Sequence, residues 1–323
     1  MVSRICLGTM MFGDRTERGE AGAIVDTYAE AGGNFLDTAD TYAGGASETM
    51  LGRLIEGRRD RFVLATKVGN PMPGQPGTGG QSARYIRQAL AASLDRLGVD
   101  AVDLLYLHRD DETTPLEETV VALGQAIADG QTRHWGLSNI RAWKVAELVR
   151  LCDREGVPRP VALQPYYHAL YREAERELLP VCQHYGIGVV SYSPLARGVL
   201  TGKYRDGVPA GSRGARGDVR IGETEMRPAN LDAARALDEH VRPSGRDTGH
   251  VALRWVLASA IVTSVLAGPR TMAQLSGYLA AFDTAYTRED ESFVEDLVPA
   301  GCSAGSTYFD PRYPFRGRVV DLP

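Results

Sequence analysis

Four side chains that together could form a proton-donating centre stand in this chain where apolar runs break into polar residues. Asp37 follows Phe35 and Leu36 and precedes Tyr42 by five positions. Lys67 closes the run Arg61-Phe-Val-Leu-Ala-Thr-Lys67, and His108 closes Val102-Asp-Leu-Leu-Tyr-Leu-His108. A free tyrosine, with a pKa near 10, exchanges its proton poorly at neutral pH. An adjacent ammonium favours the phenolate and lowers that pKa, while a carboxylate holds the ammonium in place. Tyr42 is therefore expected to be the general acid, Lys67 its electrostatic tuner and Asp37 the partner of the lysine. Taken singly, each has a plainer reading, as a helix cap, a surface cation or a satisfied strand-end histidine. The weight lies in their joint occurrence.

These residues need strands that end at one place. Apolar runs at 4–10, 34–37, 61–67, 102–108, 134–139, 161–165, 187–192 and 263–267 read as strands. Helical spacing follows at 20–31, from Ser47 (read as its cap), at 83–97, from Pro115 to Asp129, at 142–154, 173–185, 231–241, 250–260, 271–281 and 287–298, several of them ending at glycine. Strands alternating with helices mean βαβ units, and eight such units at this length predict a (β/α)₈ barrel, a single domain over 1–323. An open doubly wound sheet would carry G-x-G-x-x-G after its first strand; Gly8-Thr-Met-Met-Phe-Gly13 does not fit it. In such a barrel the carboxyl ends of the strands hold the active site. Residues 69–80 form a Gly- and Pro-rich loop. Residues 201–228 read as a long surface loop with no clear period, and 300–323 as an irregular tail.

The bulk numbers exclude some partners. A chain of 323 residues, 43% hydrophobic and 24% charged with a net charge of −5, has no general attraction for nucleic acid or anionic lipid. No apolar run approaches the roughly 20 residues that span a bilayer. The start has no secretion-signal character, so a reducing cytoplasm is expected. Cys6, Cys152, Cys182 and Cys302 lie far apart without metal-ligand spacing, which predicts free thiols and no metal site.

The set Asp37-Thr-Ala-Asp-Thr-Tyr42, Thr66-Lys67 and Asp103-Leu-Leu-Tyr-Leu-His108 resembles the aldo-keto reductases, in the branch that includes potassium-channel β subunits. Gly136-Leu-Ser-Asn139, Gln164-Pro165, Leu200-Thr-Gly-Lys-Tyr204 and Ala267-Gly-Pro-Arg270 extend the resemblance over nearly the whole chain. The resemblance implies that His108 hydrogen-bonds the substrate carbonyl. It implies that Ser138, Asn139 and Gln164 hold a nicotinamide carboxamide and that Tyr192 stacks on its ring. Ser193, Pro194, Leu195 and Gly198 would take the pyrophosphate with Lys203, and Gly8, Thr9, Met10, Asp37 and Gly268 would line the same face. Arg213, Arg270 and Gln274 would bind the adenosine phosphate, favouring NADPH/NADP+; the plainer reading of Arg213 and Arg216 is solvated loop charge. Gly277 and Tyr278 stand where the family has Glu-Asn, so the adenine is expected to be held by stacking on Tyr278. The family's N-terminal hairpin has no counterpart before the first strand, so either the start is truncated or another part, such as the tail, would cover the barrel floor.

The resemblance points to NADPH-dependent reduction of a small aldehyde or ketone. A reductase of nucleotide-linked keto or enoyl sugars and a non-catalytic NADP(H)-binding regulatory subunit are the alternatives. The substrate pocket would come from 69–80, Arg109, Asp110, Asp111, 201–228, Tyr308 and Phe309.

Overall fold

Eight short parallel strands close into a barrel in the computed structural model, which describes residues 1–305. They are β1 (Ile5–Gly8), β2 (Phe35–Asp37), β3 (Val63–Val68), β4 (Val102–Leu107), β5 (Thr132–Ser138), β6 (Ala162–Gln164), β7 (Gly188–Tyr192) and β8 (Val262–Ala267). Each pairs with the next, and β8 returns to β1.

The two-residue period of a strand divides their side chains cleanly. Cys6, Phe35, Ala65, Leu104, Tyr106, Ala162 and Val190 fill the barrel interior. Leu7, Leu36, Leu64, Leu105, Leu107, Leu163 and Val189 face outward into the layer under the helices. Two residues beyond an interior position, the same parity reaches Asp37, Lys67, His108, Gln164 and Tyr192. Inward-facing apolar residues thus hand over to polar ones at the carboxyl mouth.

The outer ring is α1 (Arg18–Glu30), α2 (Ala46–Ile55), α3 (Ala83–Leu97), α4 (Leu116–Ala128), α5 (Ala142–Glu155), α6 (Leu178–Tyr185), α7 (Val219–Thr224), α8 (Pro228–Val241), α9 (Thr248–Ala258), α10 (Met272–Ala280) and α11 (Arg288–Leu297). Three local expectations need correction. Ser47 does not cap α2: Gly45 occupies that position with no side-chain cap, and the Ser47 hydroxyl turns inward to Thr9 and Thr38. The helix expected at 173–185 divides into a 3₁₀ turn at Glu173–Glu175 and α6, so that Pro180 falls in a first turn where its missing amide costs nothing. Segment 201–228 is not wholly loop. It carries α7, capped by the Asp218 carboxylate, which accepts from the amides of Arg220 and Ile221.

At the floor the opening residues pack against the strand starts. Val2 packs against the interior cluster, and Arg4 donates to the Val262 carbonyl at 2.7 Å. Residues 302–304 bind residues 170–172, in the loop past β6, through Arg172 N–H to Cys302 O (2.8 Å) and Ala304 N–H to Leu170 O (3.0 Å). That loop lies on the carboxyl side of the barrel. Tyr308, Phe309 and the rest of the tail lie outside the described residues.

Candidate active site

The four residues expected to do chemistry meet at the barrel mouth. Lys67 is fully buried, and its Nζ donates to Asp37 Oδ1, to the Thr38 carbonyl at 2.8 Å and to Tyr42 Oη at 3.2 Å. The rings of Tyr42 and His108 stand edge to face with centroids 5.8 Å apart. Main-chain bonds fix the approach of Tyr42. Thr38 N–H donates to Ala65 O (3.0 Å) and Asp40 N–H to Lys67 O (3.1 Å), pinning the segment after β2 to β3. The chain then turns through Ala43, Gly44 and Gly45 at φ 50, 61 and 97°, a left-handed run that two glycines make accessible.

Electrostatics follow from burial and pairing. Burial pushes the Asp37 carboxyl above its ordinary range, opposed by the Lys67 ammonium and by hydrogen bonds from Lys67 and Gln164. Burial works against the charge on Lys67, but Asp37 and Tyr42 outweigh it and its pKa rises. His108 is held well below its usual value by burial, then by Lys67 and Arg109, so its ring is neutral at physiological pH. Its Nδ1 meets no hydrogen-bond partner among the described residues.

Ser138, Asn139, Gln164 and Tyr192 join the same network. Gln164 Nε2 donates to Asp37 Oδ2 (2.9 Å), and Ser138 Oγ to the Gln164 carbonyl (2.9 Å). Asn139 Nδ2 donates to His108 O (2.9 Å), and its Oδ1 accepts from Tyr192 Oη (2.8 Å). Among the described residues, the non-glycine positions with positive φ are Ala43, Asn139, Ser193, Ala196 and Arg197. All lie in loops at this mouth. Strain of this kind concentrates where a surrounding structure dictates geometry for function.

The expected phosphate end is built differently. Ser193 to Gly198 wind tightly after β7, with Ala196 N–H on Ser193 O and Gly198 N–H on Leu195 O (both 2.8 Å). Lys203 crowds Gly198 so closely that a Cβ there would sit 2.5 Å from Nζ. Burial lowers the pKa of Lys203, and Arg213, Arg270 and Arg216 push it the same way. Arg213 is likewise lowered by burial and by Arg197 and Arg15, against the pull of Asp218. Such a cluster of like charges fits a multiply charged anion. Tyr278 is half-buried beside it, its phenol pushed by burial up to about 12 while Arg213 pulls down.

Some expected contacts are already engaged. Thr9 donates to Asp37 O from both its amide (2.9 Å) and its hydroxyl (3.1 Å), and so aligns β1 with β2; Gly8 ends β1, and Met10 is exposed just beyond it. Gln274 Oε1 accepts the Arg270 amide (2.7 Å), and the Glu20 carboxylate accepts the first amide of α10 from Met272 (2.6 Å). The pull on an anion there comes from the cations more than from the helix end. Gly268 lies just past β8 near Gly8, with no close obstruction. Of the expected rim, Asp110 pairs with Lys144 at 2.6 Å. Asp111 accepts from the Gln81 amide and from Thr113 and Thr114, which hold its carboxyl well below the usual range. Both acids bind the loop past β4 together.

Sequence reasoning did not find Asp40, Tyr166, Arg197 or Glu225. Asp40 sits buried beside the centre, its carboxyl pushed up to about 7 by burial and by Glu48. Its place between Asp37 and Tyr42 was the available signal. Glu225, in a polar run inside 201–228, offered none.

A buried Lys67–Asp37 pair with Tyr42 and His108 beside it, at the carboxyl mouth of a closed (β/α)₈ barrel, stands where enzymes of this fold carry their active sites and defines the class of barrel enzymes. Comparison with known proteins makes the assignment particular. Residues 4–298 match the Aldo/keto reductase family, and the chain belongs to it. It is 35% identical over 281 residues, 84% of this chain and 78% of the relative, to a Schizosaccharomyces pombe protein named putative voltage-gated potassium channel subunit beta. It is 35% identical over 272 residues, 81% of this chain and 78% of the relative, to the L-glyceraldehyde 3-phosphate reductase of Escherichia coli. A human protein named aflatoxin B1 aldehyde reductase member 2 is 41% identical over 202 residues, 62% of this chain and 55% of the relative. The chain is an oxidoreductase. Among the described residues no helix is long and apolar enough to cross a membrane, and no cluster of three His, Cys, Asp or Glu could hold a metal ion. The four cysteines are free thiols, three of them buried.

Proposed function

We propose that this protein reduces an aldehyde or ketone to an alcohol, with NADPH as the hydride source and Tyr42 as the general acid. The observation that carries the reading is the bond from Lys67 Nζ to Tyr42 Oη at 3.2 Å, made by an ammonium already anchored on buried Asp37. The dinucleotide, when bound, supplies the hydride that attacks the carbonyl carbon. Tyr42 donates its proton to the developing alkoxide, and the adjacent ammonium stabilises the phenolate left behind. His108, neutral and buried, hydrogen-bonds the carbonyl oxygen without competing for the proton. Donors placed where an oxyanion develops are usually the largest catalytic contribution.

The donor set supports the cofactor assignment. Ser138, Asn139 and Gln164 offer amide and hydroxyl groups for a carboxamide, and Tyr192 offers a ring face beside them. Lys203, Arg213 and Arg270 offer charge for the pyrophosphate and an adenosine phosphate, which favours NADPH, and Gln274 steadies the Arg270 amide. Tyr278 offers a ring for the adenine. The substrate is a small carbonyl compound. The net charge of −5 and the free thiols suit a cytoplasmic protein that binds neither nucleic acid nor lipid.

A regulatory role finds support in the channel-subunit names of some relatives, whereas the complete Asp37–Lys67–Tyr42–His108 geometry favours turnover. The test is NADPH consumption with a panel of carbonyl compounds, nucleotide-linked keto sugars among them. Turnover with simple aldehydes or ketones supports the reading; tight NADPH binding with no turnover of any compound replaces it with the regulatory one.

A further inference from the structure

Glu225 is a buried carboxylate whose cluster the proton-transfer chemistry leaves unused. It follows directly on α7, in the segment whose Lys203 and Arg213 are assigned to the cofactor's phosphates, and its buried side chain meets residues of the loops past β6 and β7. There Tyr166 Oη donates to Glu225 Oε1, and Arg197 Nε stands 3.6 Å from the same oxygen while donating to Thr224 Oγ1 at 3.0 Å. His168 stands beside them. The Leu170 amide donates to its Nδ1 (3.2 Å), which leaves the proton of the neutral ring on Nε2, 3.8 Å from Glu225 Oε2.

Each partner belongs to a different part of the nicotinamide and phosphate grip. Tyr166, just past β6, packs its ring on Tyr192 with centroids 5.3 Å apart at 35°, and Tyr192 N–H donates to Pro165 O at 2.9 Å. Tyr192 in turn binds Asn139, which binds the His108 carbonyl. Arg197 sits at φ 52°, inside the strained winding assigned to the pyrophosphate. One carboxylate therefore joins 201–228, the winding after β7 and the ring assigned to the nicotinamide.

We propose that Glu225 is a positioning residue that couples the two ends of the cofactor grip: it holds Tyr166 behind Tyr192 and Arg197 in its strained winding, so that the phosphates cannot be released without loosening the nicotinamide platform. This rests on the reading that NADPH lies across Tyr192 and residues 193–198. Replacing the carboxylate leaves the largely buried Arg197 guanidinium without its counter-charge, a defect that costs more than the loss of an ordinary hydrogen bond.

The test uses Glu225→Gln, which keeps the shape and removes the charge, and Tyr166→Phe, which keeps the ring and removes its bond to Glu225. Stopped-flow fluorescence reads NADPH dissociation, and 4-deuterated NADPH reads the isotope effect on kcat. In Glu225→Gln, dissociation is expected to be faster by about tenfold or more, and the isotope effect should rise because hydride transfer slows as release quickens. Tyr166→Phe should show a smaller change of the same kind, and the double variant should add little to Glu225→Gln alone. Variants that melt at lower temperature but keep the wild-type dissociation rate and isotope effect reduce Glu225 to a structural residue and overturn the proposal. If Glu225→Gln does not fold, Tyr166→Phe, one oxygen smaller, decides between the two outcomes. A wild-type protein that binds no NADPH sinks the underlying reading instead.

Discussion

The two ends of the expected cofactor site are held by opposite physics. At the catalytic end the charges are buried and matched: Lys67 and Asp37 neutralise one another, Gln164 takes the second carboxylate oxygen, and His108 is kept neutral. At the phosphate end burial and the charges of Arg213, Arg270 and Arg216 lower the pKa of Lys203, and burial with Arg197 and Arg15 lowers that of Arg213. The first region has its opposite charges paired within the protein and is organised by strand ends. The second is strained by like charge, sits on loops and gains most when an anion enters. Rate should therefore depend on the catalytic end and affinity on the phosphate end.

The sharpest way to break that division is Tyr42→Phe. It should lower kcat for carbonyl reduction by about a thousandfold or more while leaving NADPH affinity within about twofold; steady-state kinetics and fluorescence titration read both, and unchanged turnover removes Tyr42 as the acid. Lys67→Met should come next. It should cut kcat by about a hundredfold or more and lower the melting temperature, because Asp37 is then a buried charge without its counter-charge. A Lys67→Met protein with wild-type rate would mean the ammonium does not tune Tyr42. At the other end, Arg270→Ala should weaken NADPH by about tenfold with little effect on NADH, measured as the ratio of the two dissociation constants. Raising salt should weaken NADPH binding in the wild type and less in this variant. Equal losses for both dinucleotides would show that Arg270 does not read the extra phosphate.

The smallest effect concerns Asp40, at the border of the catalytic end. Its carboxyl titrates at about 7 when folded and near 3.8 when exposed to water, so the folded chain binds a proton that the unfolded chain releases. The stability tied to that proton is fully present at low pH and is lost as pH rises from about 4 through 7. Asp40→Asn should therefore raise the melting temperature at pH 8 by a few degrees relative to its effect at pH 5, read by thermal melts at the two pH values. A variant with the same offset at both would show that Asp40 is not protonated in the folded protein at neutral pH.

The catalytic end was also the legible one. Asp37, Lys67 and His108 announce themselves as polar residues terminating apolar runs, and a strand's period then decides their direction without further information. The phosphate end is loop, where neighbours far apart in sequence decide each side chain. Nothing near Gln274 reveals that Glu20, some 250 positions earlier, takes the first amide of α10. Ser47 looked like a cap because serine before an apolar stretch usually is one; the left-handed turn through Gly45 starts the helix earlier and frees the hydroxyl for Thr9 and Thr38. Helix α7 escaped because six residues with one deeply buried aliphatic, Ile221, carry no visible period. The role proposed for Glu225 rests on contacts with residues 166, 168 and 197, which no local pattern encodes.

The alternation that places Asp37, Lys67, His108, Gln164 and Tyr192 at the mouth behaves like a reading frame. Deleting one residue from β3 would bring Val68 to the position of Lys67 and turn the lysine toward the helices, exchanging a catalytic group for a core residue in one step. No intermediate shift exists. This mouth can change by substitution at fixed positions or by growth of the loops above it, while the strands beneath must keep their count.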